Sequence, residues 1–577
     1  MSLLATIPPA LVFLVAAAVA TVDRWVAHAV GAVVSLAALP WILTVPAGAH
    51  LPVRAFGATP FGFDVVLFAV DPVSRAVGAV FALVALANVL YAYGAGASTH
   101  QTATTLTYIG ASLGAVFAGD WLTLVIWWEL MAAAATALLW QSVSSVRAGY
   151  RYAIYHQLGG VALVAGVFLQ YTRTGTFLMS DGVVSGLPLL LVVLGVGMNA
   201  GFLGFHVWIV DAYTGPDVTT TVVLSGFTTK VGVYTLIRTL PDQSLAVAYL
   251  GGAMVLVGVT MAVLQTDMRR LLSYHIVSQV GYMVAGIGLG TTAGTAGGTA
   301  HLVNNVLYKT LLFMVAGIVV LETGRESLKK VGGLGRRLPA TTIAFAVAAL
   351  AITGIPGFSG FVSKGFVTSA TTATGADPLW WALQIGAVGT VISFVKFGYY
   401  AFLRPAPDDA GGNERVNESR PLGTDPAVTL AFALLAVPCV VFGLAPGVLV
   451  AILPGGVSTS SVFSVSKLID AVVITIVGVG CFALIRRPLK RVTAVPDLDR
   501  LYHPVGRLVH DGLSRTIATG GTRLQRAAGR AVSGINAVLS DPERFDEAGL
   551  GRTSIGTGVL LVALVATLAL VIFARAG

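Results

Sequence analysis

From Leu3 onward the chain is a succession of apolar runs, each of about twenty residues, parted by short loops. In bilayer hydrocarbon no water satisfies a backbone N–H or C=O, so such runs fold as helices packed side by side. Walking the sequence gives spans near 4–22, 26–46, 72–93, 103–119, 121–140, 150–171, 187–210 and 217–238. It continues through 245–265, 271–289, 298–321, 340–368, 380–403, 426–453, 467–485 and 554–574. The expected fold is an all-α polytopic membrane protein with about sixteen transmembrane helices. Only 11% of the 577 residues are charged and the mean hydropathy is +0.85; a soluble domain carries about 25% charged residues. A water-soluble enzyme is excluded.

The formal charge of +9 lies in short loops, the pattern of a membrane protein rather than of a nucleic-acid binder. With the N-terminus outside, the inner loops hold Arg24, Arg147, Arg151, Arg269, Arg270 and the clusters Lys329–Lys330, Arg336–Arg337 and Arg486–Arg491. The outer loops hold little beyond Arg54, Arg173 and Arg238. This bias predicts a multi-pass plasma-membrane protein with its N-terminus outside. The first apolar stretch, Leu3 to Val22, lacks a basic flank and reads as a retained helix. Cys439 and Cys481 stand alone in apolar runs, so no metal and no cofactor are expected in this chain. Residues 491–553 set Leu498, Leu501, Val505 and Leu508 among Arg500, Arg507 and Arg515. That spacing predicts an amphipathic helix on the cytoplasmic membrane face, followed by the last span at 554–577.

Charged side chains interrupt this apolar background at mid-span, where each costs about 2.5–3.5 kcal/mol. Glu129 stands in WLTLVIWWELMAAAATALLW and Lys230 in VVLSGFTTKVGVYTLI. His275 follows in LLSYHIVSQVGYM, His301 and Lys309 in HLVNNVLYKTLLF, Lys364 in GIPGFSGFVSKGF, and Lys396 in VGTVISFVKFGYYAF. His156 and His206 add imidazoles. Carboxylate, ammonium and imidazole each take and release a proton, so the row predicts a proton path. Lys396 is near the inner edge and can instead snorkel, and a lone histidine such as His156 ordinarily packs helices. Two interruptions, Gly215–Pro216 and Gly354–Pro356, predict broken helices, tolerated at membrane depth only where protein or water covers them. Paired interruptions predict two inverted five-helix repeats. These would be half-channels at 103–240 and 241–405, with further helices at 1–102 and accessory helices at 406–490.

The stretches WWELM, LQTDMRRLLSYHIVSQVGYM, HLVNNVLYKTLLF and GIPGFSGFVSK resemble the antiporter-like subunits of complex I, membrane hydrogenases and Mrp-type multisubunit cation/proton antiporters. SYHIVSQVGYM and TTKVGVYTLIR look most like the D-type subunit of the Mrp antiporters. The resemblance implies that Glu129 is the family's key glutamate, Lys230 its eighth-helix lysine, Lys309 its central lysine and Lys364 the lysine of its broken twelfth helix. His275 matches the histidine of the D-type subunit, and Lys396 resembles a further lysine there.

Two positions depart from the family pattern. Asn199 stands where the glutamate's partner lysine is usual, and Asn305 where a histidine is usual. With Asn199 unable to titrate, either His206, two turns along the same helix, or Lys230 is expected to substitute as partner of Glu129, and His206 is expected to matter more than His156.

The resemblance implies a proton-conducting subunit of a monovalent cation (Na+)/proton antiporter. Its partners would be other membrane subunits, the lipid bilayer, protons and monovalent cations. It also fits a proton-pumping membrane subunit of a complex I-like NADH:quinone oxidoreductase or membrane hydrogenase, or a diverged paralogue that does not conduct.

Overall fold

The structure, a computed structural model, describes residues 7–52, 65–179, 182–406, 423, 425–455, 457–460 and 462–491. They belong to a compact unit over Met1–Asp497; a second unit, Leu498–Gly577, lies outside the described residues. The amphipathic segment expected at 491–553 therefore falls outside them beyond its first residue, and so does the last expected span.

The chain opens with helices α1 (Pro9–Val19) and α2 (Arg24–Thr44), then a small antiparallel pair, β1 (His50–Pro52) with β2 (Val66–Ala69). Helices α3 (Pro72–Gly94), α4 (Thr99–Phe117), α5 (Trp121–Trp140), α6 (Val146–Thr174), α7 (Leu187–Ala200), α8 (Val207–Thr214) and α9 (Val218–Thr239) follow. Next come α10 (Leu245–Leu264), α11 (Met268–Gly288), α12 (Thr292–Thr323), the short α13 (Leu334–Arg337), α14 (Pro339–Thr353), α15 (Ser359–Ala373) and α16 (Asp377–Gly398). The described part closes with α17 (Pro426–Leu444), α18 (Pro446–Val450) and α19 (Val465–Arg491). Among the described residues, nine helices are long and apolar enough to cross a membrane by length and composition. Every span expected between residues 4 and 485 meets at least one helix.

Aspartates start many of these helices. Asp23, Asp71, Asp120, Asp217, Asp267 and Asp425 each accept hydrogen bonds from first-turn amides, satisfying donors that a helix start leaves free. Asp120 also accepts from Val66 N at 2.6 Å, which ties β2 to α5. The strand pair is a small addition to the expected all-α fold. Helices α10 and α11 approach through Gly251, Gly258, Gly281 and Gly288, where a Cβ would strike the facing backbone. Such small-residue contacts are how helices pack without a hydrophobic drive between them. The 32-residue α12 runs through the bundle and packs on α3, α9, α11, α14, α15 and α17.

The two helix breaks need one correction. Gly354 (φ +83°) ends α14 and Gly357 (φ +90°) follows, so Gly354 and Pro356 do mark a broken helix. Gly215 and Pro216 do not: they form the turn between α8 and α9. The break in the first set of helices lies between α7 and α8, at Gly201 (φ +75°) and Gly204 (φ +90°). These conformations are open to glycine without a proline's help. A Gly–Pro step also ends helices at ordinary turns, and here it serves that purpose.

Candidate functional site

The buried ammonium groups share one arrangement. Lys230 is fully buried on α9 and donates to Ser225 O at 2.7 Å. Lys309, fully buried on α12, donates to Leu272 O of α11 at 2.7 Å. Lys364 on α15 donates across the break to Ile352 O, in the last turn of α14, at 2.7 Å. Lys396 on α16 donates to Val263 O and Gln265 O, both at 2.6 Å, at the end of α10. Helix ends leave their last carbonyls without partners and carry partial negative charge, so Lys364 and Lys396 each close one. Ion pairs among the described residues include Arg151–Asp211, Arg238–Asp71 and Arg269–Glu326, whereas these four lysines donate to main-chain carbonyls.

The helices α11, α12 and α15 join further groups into a hydrogen-bonded chain. His301 meets Ser363 Oγ through Nδ1 at 3.0 Å and Gln279 Oε1 through Nε2 at 3.2 Å. Tyr308 Oη donates to Gln279 Oε1 at 3.3 Å and accepts from Asn305 Nδ2 at 3.2 Å. Asn305, in the place of the usual histidine, thus joins the chain as a donor. Beside it, Lys364 Nζ lies 5.1 Å from the Tyr282 ring centre, a cation–π distance. His275 is fully buried, with no hydrogen bond to either ring nitrogen among the described residues.

The helices α4, α5, α6, α7 and α9 form the other polar cluster. Thr228 Oγ1 meets Tyr108 Oη at 2.6 Å and Tyr152 Oη at 3.0 Å. Asn199 Nδ2 donates to Thr228 O at 3.1 Å. Glu129 is half-buried and faces Gly160 of α6, where a Cβ would overlap its Oε1. It is not paired with Lys230. His206 is buried at the start of α8, 6.5 Å from the Tyr274 ring. The break at 201–206 takes it off the helix that carries Asn199, so the expected two-turn spacing does not hold.

Sequence reasoning passed over Thr228, Tyr108, Tyr152, Gln279, Tyr308 and Ser363, because hydroxyls and amides are common in membrane helix contacts. It also passed over Lys467 and Asp470, charges three residues apart at the head of α19. They line a cleft of about 60 Å³ with Lys364, Gln384 and Thr368, enough for water. Outside the spans, Asp267 accepts from Arg270 N at 2.8 Å. Burial pushes its carboxyl above the ordinary range, and the Glu326 carboxylate adds to this.

Comparison with known proteins adds four findings. The family model described as NADH:quinone oxidoreductase/Mrp antiporter, transmembrane, matches residues 118–393. The D-type subunit of a Na(+)/H(+) antiporter from Alkalihalophilus pseudofirmus is 32% identical over 50% of this chain; the match spans 63% of that relative's length. An uncharacterized protein of Methanocaldococcus jannaschii is 30% identical over 60% of this chain and 75% of its own. In fold, the chain resembles one in the membrane-bound sulfane sulfur reductase, an archaeal respiratory membrane complex. That likeness has a TM-score of 0.71 at 23% identity, over 97% of this chain and 99% of the other.

Proposed function

The chain belongs to the NADH:quinone oxidoreductase/Mrp antiporter membrane family, and from that premise we propose that it conducts protons within a multisubunit monovalent cation (Na+)/proton antiporter. One observation carries the reading: buried lysines bonded to neutral carbonyls instead of carboxylates. A lysine held this way can lose its proton without leaving an uncompensated carboxylate behind. The path runs over Glu129, Lys230, Lys309, His275, Lys364 and Lys396, with His301 and His206 beside it. Two inverted five-helix repeats, 103–240 and 241–405, would form the half-channels. The matching breaks α7–α8 and α14–α15, each in the fourth helical segment of its set, support this division. Sixteen spans, an N-terminus outside and a plasma-membrane location complete the reading.

The family description also covers redox-driven complexes, and a proton-pumping subunit of that kind is the second reading. The diverged, non-conducting paralogue is the third, motivated by Asn199. Purification of the intact complex, followed by cation-induced pH change in inverted vesicles, tests them. Sodium-dependent proton movement supports the antiporter. Proton movement that requires an electron donor supports the redox module, and neither response in an intact complex supports the scaffold.

A further inference from the structure

We propose that His156, protonated on Nε2, is the cationic partner of Glu129 and fills the role left by the uncharged Asn199. This rests on the proton-transfer reading above. His156 is 2% exposed. Its Nδ1 lies 2.9 Å from Tyr152 O, and a carbonyl only accepts, so Nδ1 carries the hydrogen and Nε2 presents a bare lone pair. Nε2 has no hydrogen-bond partner among the described residues, and neither has Asn199 Oδ1. The orientation of Asn199 is set by its Nδ2, which donates to Thr228 O, so its oxygen is the atom left over. Both atoms are acceptors, buried and without a hydrogen-bond partner among the described residues. A proton on Nε2 turns that mismatch into a donor and an acceptor.

The surroundings hold the ring for this purpose. It stacks on Tyr152 with centroids 3.7 Å apart and meets the Trp208 ring edge-on at 4.6 Å. Both faces suit a cation. Gly160, four residues on, lies one turn away on the same face of α6, and Glu129 Oε1 fills the space a side chain there would need. The other charged or titratable groups nearby are accounted for. Arg151 is paired with Asp211 of α8, His206 starts α8, α7 carries none, and Lys230 on α9 is bonded to Ser225 O. The step moves one proton: it leaves the Glu129 carboxyl, giving carboxylate, and forms the Nε2–H bond, giving imidazolium.

The test is cation-induced proton movement by the whole complex in inverted vesicles, with assembly checked on native gels. His156→Gln should lower transport about a hundredfold, the scale of a lost acid–base group, and Asn199→Lys in the same chain should restore most of it. His206→Gln should have the smaller effect. Wild-type rates in His156→Gln, with Glu129→Ala inactive, would overturn the proposal and leave the transport reading standing. A loss that Asn199→Lys does not repair marks a packing role and overturns it as well. If His156→Gln does not assemble, His156→Lys decides: retained transport supports the proposal and lost transport defeats it. No cation-linked proton movement by the wild-type complex would instead defeat the transport reading.

Discussion

Lys230 on α9 and Lys364 on α15 are both buried ammonium groups bonded to a main-chain carbonyl at 2.7 Å, yet their settings differ. Lys230 bonds within its own helix, to the carbonyl five residues back. Lys364 reaches across a break to the end of another helix and borders a water-sized cleft with Lys467 and Asp470. On the same helix as Lys230, Thr228 meets Tyr108, Tyr152 and Asn199. Next to Lys364 in sequence, Ser363 starts a continuous chain through His301, Gln279 and Tyr308. The helices α10–α16 carry a connected set of exchangeable protons. The helices α4–α9 carry a sparser one.

That contrast is open to test. The largest expected effect is at Lys364: Lys364→Ala should lower transport by about a hundredfold or more. Lys364→Arg should fail too, because arginine does not release its proton. Full activity in the arginine variant would show that only charge is needed at the break. Glu129→Ala should lose coupled transport to a similar degree while assembly persists. Near-normal antiport by that variant in vesicles would remove α4–α9 from the path. Gly360→Ala should reduce stability by about 1–3 kcal/mol, as overpacking does, since a Cβ there would strike Ala351 O. It would show as a lower Tm of the purified complex, and an unchanged Tm would mean that the α14–α15 junction yields. Tyr308→Phe should be mildest, because Gln279 and His301 still meet each other at 3.2 Å. Its transport rate should fall only a few-fold, and a loss as deep as that of Lys364→Ala would make Tyr308 an obligatory link.

How well the sequence foretold these features depends on what each one costs. Charges in apolar runs stood out because burying them is expensive, and all the lysines singled out lie buried. The α14–α15 break was visible as glycine with proline. The α7–α8 break rests on glycines alone, in GFLGFH, while Gly215–Pro216 nearby drew attention to an ordinary turn. The hydroxyl and amide chain could not be read at all. Gln279, His301 and Ser363 come from three helices, and residues so far apart acquire meaning only when packing brings them together.

The bond from Lys364 to Ile352 O gives the broken helix a mechanical property. A charge-assisted hydrogen bond is roughly twice as strong as a neutral one. The last turn of α14 is therefore gripped firmly when Lys364 bears its proton and loosely when it does not. Proton occupancy becomes tension on a helix end: filling the site tightens a joint between two segments, and emptying it slackens that joint. On the proposed reading, proton exchange at this one nitrogen would alter the fit between α14 and α15.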